Sequence, residues 1–185
     1  MRNLERISLV IAAALMLAAC DVEVTTDDET EKALAGVEAA LGEMTMAVYD
    51  EQVALVNAWI EAWGSADVDR LDTIAASNYQ RKAPDLNTSS LDELKAFVLQ
   101  VHEAYPDYAI TNDGLVAGPD GVFVQWTVTG TDSGRGEGAT GNSLRVTGIS
   151  RYWFADGKIT KELVVFDSGA VLTQLETAEM PHTAE

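Results

Sequence analysis

The chain has 185 residues, 47% of them hydrophobic, which suits one ordinary domain with extensions and supplies enough apolar side chain for a core. Its formal net charge of −18 disfavours the phosphate backbone of nucleic acid, so we expect no nucleic-acid partner. With one cysteine and two histidines it can form no intrachain disulfide, and a metal site is not expected.

The first predicted element is an export signal. Two arginines precede an apolar run over 7–19 that is too short to remain as a membrane-spanning helix. The run ends in Leu-Ala-Ala-Cys at 17–20, which resembles the lipobox of bacterial lipoproteins. The resemblance implies that residues 1–19 are a signal peptide and that Cys20 is the lipidation site. We therefore expect a lipid anchor on the exported, periplasmic face of the cell envelope, and Asp21 resembles an inner-membrane retention signal.

Residues 20–44 follow as an acidic tether, rich in threonine at its start, with a short helix predicted over 33–41. A folded domain is predicted over 45–176, where the stronger apolar periods lie. The last residues, 177–185, are predicted to be a polar tail.

Three helices are predicted in the first half of this domain. Apolar side chains at helical spacing predict the first over 45–63 and the second over 67–76. The third begins at a capping box formed by Ser90 and Glu93 and ends before Pro106.

After the third helix the apolar period changes to two, which is typical of strands. Segment 79–84 is predicted to be extended or irregular, because it ends at a proline. The predicted strands cover residues 107–117, 122–131, 144–154 and 159–167. Three helices followed by four strands predict an α+β fold, with the first helix in the concavity of a curved, mostly antiparallel four-stranded sheet.

Several segments together resemble SnoaL-like polyketide cyclases, which belong to the nuclear transport factor 2-like superfamily. They are Trp-Gly-Ser-Ala-Asp at 63–67, Leu-Lys-Ala-Phe at 94–97, Tyr-Pro-Asp at 105–107, Val-Gln-Trp-Thr-Val-Thr-Gly-Thr at 124–131, Val-Thr-Gly-Ile-Ser at 146–150, Phe-Ala-Asp-Gly-Lys-Ile at 154–159 and Phe-Asp at 166–167. The resemblance spans residues 50–176. It implies a cone-shaped fold with an apolar pocket, acid–base chemistry without a metal or organic cofactor, and pairing of two copies through the sheet.

The same resemblance makes Asp167 the candidate general acid/base. Alternation places it on one face of the last strand with Leu163 and Val165, and if that face lines the pocket the carboxylate lies among apolar groups. The alternative is that Asp167 caps the turn that follows the strand. Glu162 is expected on the opposite face, as a solvated or interface carboxylate.

Aromatic and apolar side chains are the candidates for the pocket wall. They are Trp59, Trp63, Tyr79, Phe97, Val101, Trp126 and Tyr152, although core packing would also explain them. His102 is expected on the flank of the third helix, or alternatively in the cavity as a base. Arg81 and Lys82 are expected at the surface, or alternatively at the pocket mouth, where they would attract an anionic ligand.

Three functions are compatible with these residues. The chain could bind a small hydrophobic molecule at the membrane, act as a cofactor-free cyclase, isomerase or ester-active enzyme through Asp167, or serve as a dimerising envelope scaffold. Many relatives carry a histidine pair where this chain has residues 80–82, and a histidine where it has Asp132, so binding is ranked first. Trp153 and Phe166, expected on the exposed sheet face, are candidates for a homodimer interface.

Overall fold

The computed structural model describes residues 28–134 and 139–176. The predicted signal peptide, Cys20 and the polar tail lie outside these residues. The chain divides into two compact units, with the boundary between Glu43 and Met44. In the first unit the described residues are helical, and the side chains of Leu34, Val37 and Leu41 are exposed.

Four helices and five strands make up the described chain. They are α1 (Asp28–Ser65), α2 (Val68–Ile74), β1 (Ala75–Lys82), α3 (Leu91–Ala104), β2 (Ala109–Gly118), β3 (Gly121–Thr131), β4 (Ser143–Ala155), β5 (Lys158–Phe166) and α4 (Ser168–Glu176). No helix among them is both long enough and apolar enough to cross a membrane.

The start of α3 shows how local sequence defines these elements. The Ser90 hydroxyl accepts a hydrogen bond from the backbone N–H of Glu93 at 3.2 Å, as the capping box predicts. The Glu93 carboxylate in turn accepts the N–H of Ser89 at 2.7 Å, one residue before the expected donor. The side chain of Asp67 caps α2 in the same manner, accepting the N–H of Arg70 at 3.2 Å.

The strands form one sheet in the order β1-β5-β4-β3-β2. All pairs are antiparallel except β1 with β5, which run parallel. The predicted α+β class and mostly antiparallel sheet are therefore confirmed, but the sheet has five strands instead of four. The sequence predicted only an extended or irregular segment over 79–84 and extended the second helix to 76, where the structure has β1. Only Ala75, Tyr79 and Arg81 are buried along this polar strand, which leaves no apolar alternation to detect.

One face of the sheet packs against the helices of the second unit. Trp59 of α1 contacts the ring of Tyr79 at 5.1 Å and that of Tyr152 at 6.4 Å between centroids. The most deeply buried apolar side chains are Val56, Trp59, Leu71, Leu94, Val98, Val122, Val124 and Ile159. This core holds the second half of α1 and α3 over β3, β4 and β5.

Candidate functional site

A cavity of about 390 Å³ opens between the inner face of the sheet and helices α1 and α3. The structure places six of the predicted pocket residues in its wall, namely Trp59, Trp63, Phe97, Val101, Trp126 and Tyr152. The seventh, Tyr79, is fully buried next to this wall and does not line the cavity. Its role is to hold a neighbouring side chain.

That neighbour is Glu162, which points to the cavity from β5 and is 4% exposed. The even-numbered residues of this strand, Glu162, Val164 and Phe166, line the cavity. Val165 lies on the other face and is 59% exposed. The predicted orientation of β5 was therefore wrong. The strand is apolar on both faces, so its alternation did not determine which face is buried.

Two hydroxyl groups hold the Glu162 carboxylate. The Tyr79 hydroxyl donates to Oε2 at 2.5 Å, and the Ser150 hydroxyl donates to Oε1 at 2.8 Å. The indole N–H of Trp126 then donates to Ser150 Oγ at 3.0 Å, which leaves that hydroxyl proton for Glu162. The donors lie on β1, β3 and β4, so their spacing depends on the register of the sheet.

Arg81 lies beside Glu162 in the parallel pairing of β1 and β5 and is only 7% exposed. Its Nη1 and Nη2 atoms donate to the two carboxylate oxygens of Asp85, at 2.8 and 3.1 Å, and Nη1 also donates to the Leu86 carbonyl at 2.7 Å. Its Nε atom is 3.7 Å from Glu162 Oε2. Burial opposes the charge, but the carboxylates of Glu162 and Asp85 keep the pKa of Arg81 above its usual value, so the guanidinium remains charged.

Three tyrosines near Glu162 stay protonated at neutral pH. Burial raises the pKa of Tyr79 and of Tyr152 well above the usual value, and the charge of Glu162 raises both further. Burial also raises the pKa of Tyr108, against the opposing effect of Arg81. All three hydroxyls therefore keep their protons and can donate hydrogen bonds.

Asp167, the predicted acid/base, is not in the cavity wall. Its Oδ1 atom accepts the backbone N–H of Ala170 at 3.0 Å, which caps the first turn of α4. The chain leaves β5 at Phe166, so the alternation that we extended to Asp167 no longer applies there. The alternative interpretation, a capping side chain, describes this carboxylate.

Sequence reasoning did not favour a cavity position for either charged residue. Glu162 was assigned to solvent or to an interface, and Arg81 to the surface with the pocket mouth as the alternative, because charged side chains are seldom buried. The sequence offers a signal for Arg81 alone, which follows Tyr79 at a spacing of two and so lies on the same face of a strand. His102 remains a flanking residue, with Nε2 2.7 Å from the Trp63 carbonyl oxygen and its ring 4.9 Å from that of Tyr108.

A family model described as "SnoaL-like domain" matches residues 56–162, more than half of the chain. The chain belongs to the SnoaL-like domain family. All the groups that hold Glu162 lie within the matched residues.

Solved structures resemble the SnoaL-like chain over most of their own length. A proposed SnoaL-like polyketide cyclase from Jannaschia sp. CCS1 is 18% identical with a TM-score of 0.63, and the match covers 70% of this chain and 94% of that one. AclR, a proposed hydroxylase from Streptomyces galilaeus, is 25% identical with a TM-score of 0.59, covering 69% and 96%. IdmH, a proposed polyketide cyclase from Streptomyces antibioticus, is 20% identical with a TM-score of 0.59, covering 67% and 97%. No curated protein matches the chain.

The site of this SnoaL-like domain combines an ionisable carboxylate with apolar walls. Each Glu162 oxygen accepts one hydrogen bond from the protein and can accept another, so the carboxylate can also interact with a molecule in the cavity. No cluster of three or more potential metal ligands occurs in residues 28–134 and 139–176.

Proposed function

We propose that the chain is an enzyme of the cyclase or isomerase type, in which Glu162 transfers a proton to and from a small, mostly apolar compound. The observation that carries the proposal is the Glu162 carboxylate, 4% exposed, in the wall of a cavity lined mostly by aromatic and aliphatic side chains. Membership of the SnoaL-like family supports it, as do similar structures described as polyketide cyclases.

The proposed reaction begins at a carbon next to a carbonyl group. Glu162 removes a proton from this carbon, and the electron pair of the C–H bond moves to the carbonyl oxygen to give an enolate. Return of the proton to a different carbon completes an isomerisation. Attack of the enolate carbon on a second carbonyl of the same molecule, followed by proton transfer to the new alkoxide, completes a cyclisation. The apolar wall favours this chemistry because it excludes water that would compete for the proton.

Exchange of hydrogen for deuterium tests the proton transfer without the natural substrate. A panel of one- and two-ring ketones is incubated with the protein in D₂O, and loss of the α-proton signal is followed by NMR. We expect exchange faster than in buffer for wild type and for Glu103→Gln, an exposed control on α3. Glu162→Gln should exchange at the buffer rate. Equal exchange by Glu162→Gln and wild type would refute the assignment.

Binding without catalysis is the second candidate. It is favoured by the hydrogen bonds from Tyr79 and Ser150 and the nearby charge of Arg81, which give the Glu162 carboxylate partners within the protein. The same experiment separates the two functions. A binding protein would take up the ketones, measured by calorimetry, without accelerating their exchange.

We further propose that the chain acts while anchored to a membrane through Cys20. The proposal rests on the lipobox-like residues 17–20 and on the acidic tether that follows them. Expression in bacteria fed an alkyne fatty acid should label the wild-type chain and leave Cys20→Ser unlabelled. A labelled Cys20→Ser variant, or an unlabelled wild type, would contradict the anchor.

We also propose that two copies pair through the outer face of the sheet. Phe123, Ile149 and Val165 are neighbours there and are 38%, 51% and 59% exposed. Phe166 is not part of this face, because it lines the cavity, and the Trp153 ring is covered by Arg151 at 4.3 Å. Light scattering of wild type and Ile149→Glu should show a dimer and a monomer respectively.

A further inference from the structure

Three hydrogen-bond donors at the cavity wall have no acceptor in the described part of the protein. The first is the hydroxyl of Tyr108, which lies between α3 and β2 and lines the cavity. Its ring packs against His102, and His102 is itself held 2.7 Å from the Trp63 carbonyl oxygen. These contacts fix the ring that carries the Tyr108 hydroxyl in the cavity wall.

The other two donors are the indole Nε1 of Trp63 and the Nε of Arg81, both on side chains that are more than nine-tenths buried. Neither nitrogen has a hydrogen-bond partner in the residues that the structure describes. The guanidinium carbon of Arg81 is 5.9 Å from the centre of the Trp63 ring, so the two donors belong to one region of the wall. Both side chains line the same cavity as Tyr108.

The carboxylates of this region already have donors. The two Asp85 oxygens accept from the Nη atoms of Arg81, and the two Glu162 oxygens accept from Tyr79 and Ser150. None of these carboxylates accepts a hydrogen bond from Tyr108, and a ligand that supplies an acceptor would satisfy its hydroxyl. Because two carboxylates surround one guanidinium, the local charge is negative, and an anionic ligand would be repelled.

We infer that the cavity takes a neutral ligand with a carbonyl oxygen, such as a ketone or an ester, and that the Tyr108 hydroxyl donates a hydrogen bond to this oxygen. Arg81 and Trp63 line the same cavity, so their unpaired N–H groups belong to the wall around this ligand. Tyr108 is suited to the role since burial raises the pKa of its hydroxyl and keeps the proton in place. The inference rests on the proposed function in that this carbonyl activates the carbon that Glu162 deprotonates.

Probes of similar shape separate the contribution of the Tyr108 hydrogen bond from that of general apolar binding. The three probes are 1-tetralone, its parent hydrocarbon tetralin, and tetralin-1-carboxylate, each titrated into the full chain by calorimetry. We expect 1-tetralone to bind about tenfold more tightly than tetralin, the size of effect that one net hydrogen bond gives. The carboxylate should bind more weakly than either.

Tyr108→Phe should abolish the preference for 1-tetralone while leaving the affinity for tetralin unchanged. Tyr49→Phe, a control on α1 outside the cavity wall, should retain the preference. Near-UV circular dichroism checks that both variants keep their packing. Equal binding of 1-tetralone and tetralin by wild type, tighter binding of the carboxylate, or a retained preference in Tyr108→Phe would each overturn the inference.

The proposed function fails in a different way. If Glu162→Gln and wild type exchange ketone protons equally while Tyr108→Phe loses the ketone preference, the donor assignment holds and the proton-transfer assignment does not. If exchange depends on Glu162 but no probe discriminates the carbonyl, the reverse is true. If neither 1-tetralone nor tetralin binds, the inference is overturned, and the exchange panel alone decides the proposed function.

Discussion

The hydrogen bond from Tyr79 to Glu162 should be among the most stabilising single contacts in the domain. Tyr79 is fully buried, and its hydroxyl donates to Glu162 Oε2 at 2.5 Å. Tyr79→Phe removes this donor while the ring keeps its packing on Trp59, so the change isolates the hydrogen bond. A hydrogen bond to a charged acceptor contributes about 1.5–3 kcal/mol, because its loss leaves the buried carboxylate less well solvated. We expect a melting temperature lower by roughly 6 °C.

Urea unfolding at pH 7, followed by tryptophan fluorescence, measures this cost. Tyr49→Phe is the matched control, since Tyr49 is half-exposed on α1, and it should change the unfolding free energy by less than about 0.5 kcal/mol. In a Glu162→Gln background the acceptor is neutral, so Tyr79→Phe should cost only about 1 kcal/mol. If Tyr79→Phe proves as mild as Tyr49→Phe, the Tyr79 hydroxyl does not hold a buried carboxylate and our account of the site is wrong.

Three further predictions follow from other contacts. Gly148→Ala should destabilise by about 1–3 kcal/mol in urea, because its Cβ would overlap the Trp126 ring, whereas Gly114→Ala, with open space around it, should not. Burial raises the folded-state pKa values of Tyr79, Tyr108 and Tyr152, so fewer tyrosines should ionise near pH 10–11 in the native than in the unfolded chain. The unfolding free energy should therefore fall as pH rises above about 10. Superimposable spectrophotometric titration curves of the native and unfolded chain would refute this. Asp167→Ala should cost about 1 kcal/mol through loss of the α4 cap, whereas an unchanged unfolding curve would mean that the bond to Ala170 contributes nothing.

The sequence predicted the helices, strands and turns whose formation depends on local residues. The helix that starts at Ser90, the strands β2 to β5 and the turn after Ala155 all carry strong local signals, namely a capping side chain, alternation, or an Asp-Gly pair. The strand β1 carries none of these. It forms because β5 offers an edge with which the backbone of β1 can pair in parallel, and tertiary pairing of that kind leaves little trace in a polar segment.

The pocket was easier to predict than its chemistry. Large aromatic side chains such as Trp59 and Trp126 are buried wherever the fold places them, so composition and spacing suffice to locate them. A carboxylate such as Glu162 is buried only where hydrogen-bond donors contact it, and those donors lie on other strands. Alternation within one strand therefore does not indicate which of its two faces lies next to those hydrogen-bond donors.

Sheet register also places Glu162 in the cavity wall, whereas Asp167, to which the resemblance pointed, lies outside it. Glu162 pairs in register with Tyr152 on β4 and with Arg81 on β1, so these residues form one row across the sheet. Asp167 follows the end of β5 and belongs to the first turn of α4, where a carboxylate is stabilised by a helix N-terminus. A row of the sheet acts as a unit, because moving any one strand by a residue turns its side chains to the opposite face. The register that sets Arg81, Glu162 and Tyr152 side by side therefore determines the chemistry of this cavity more directly than any single short motif.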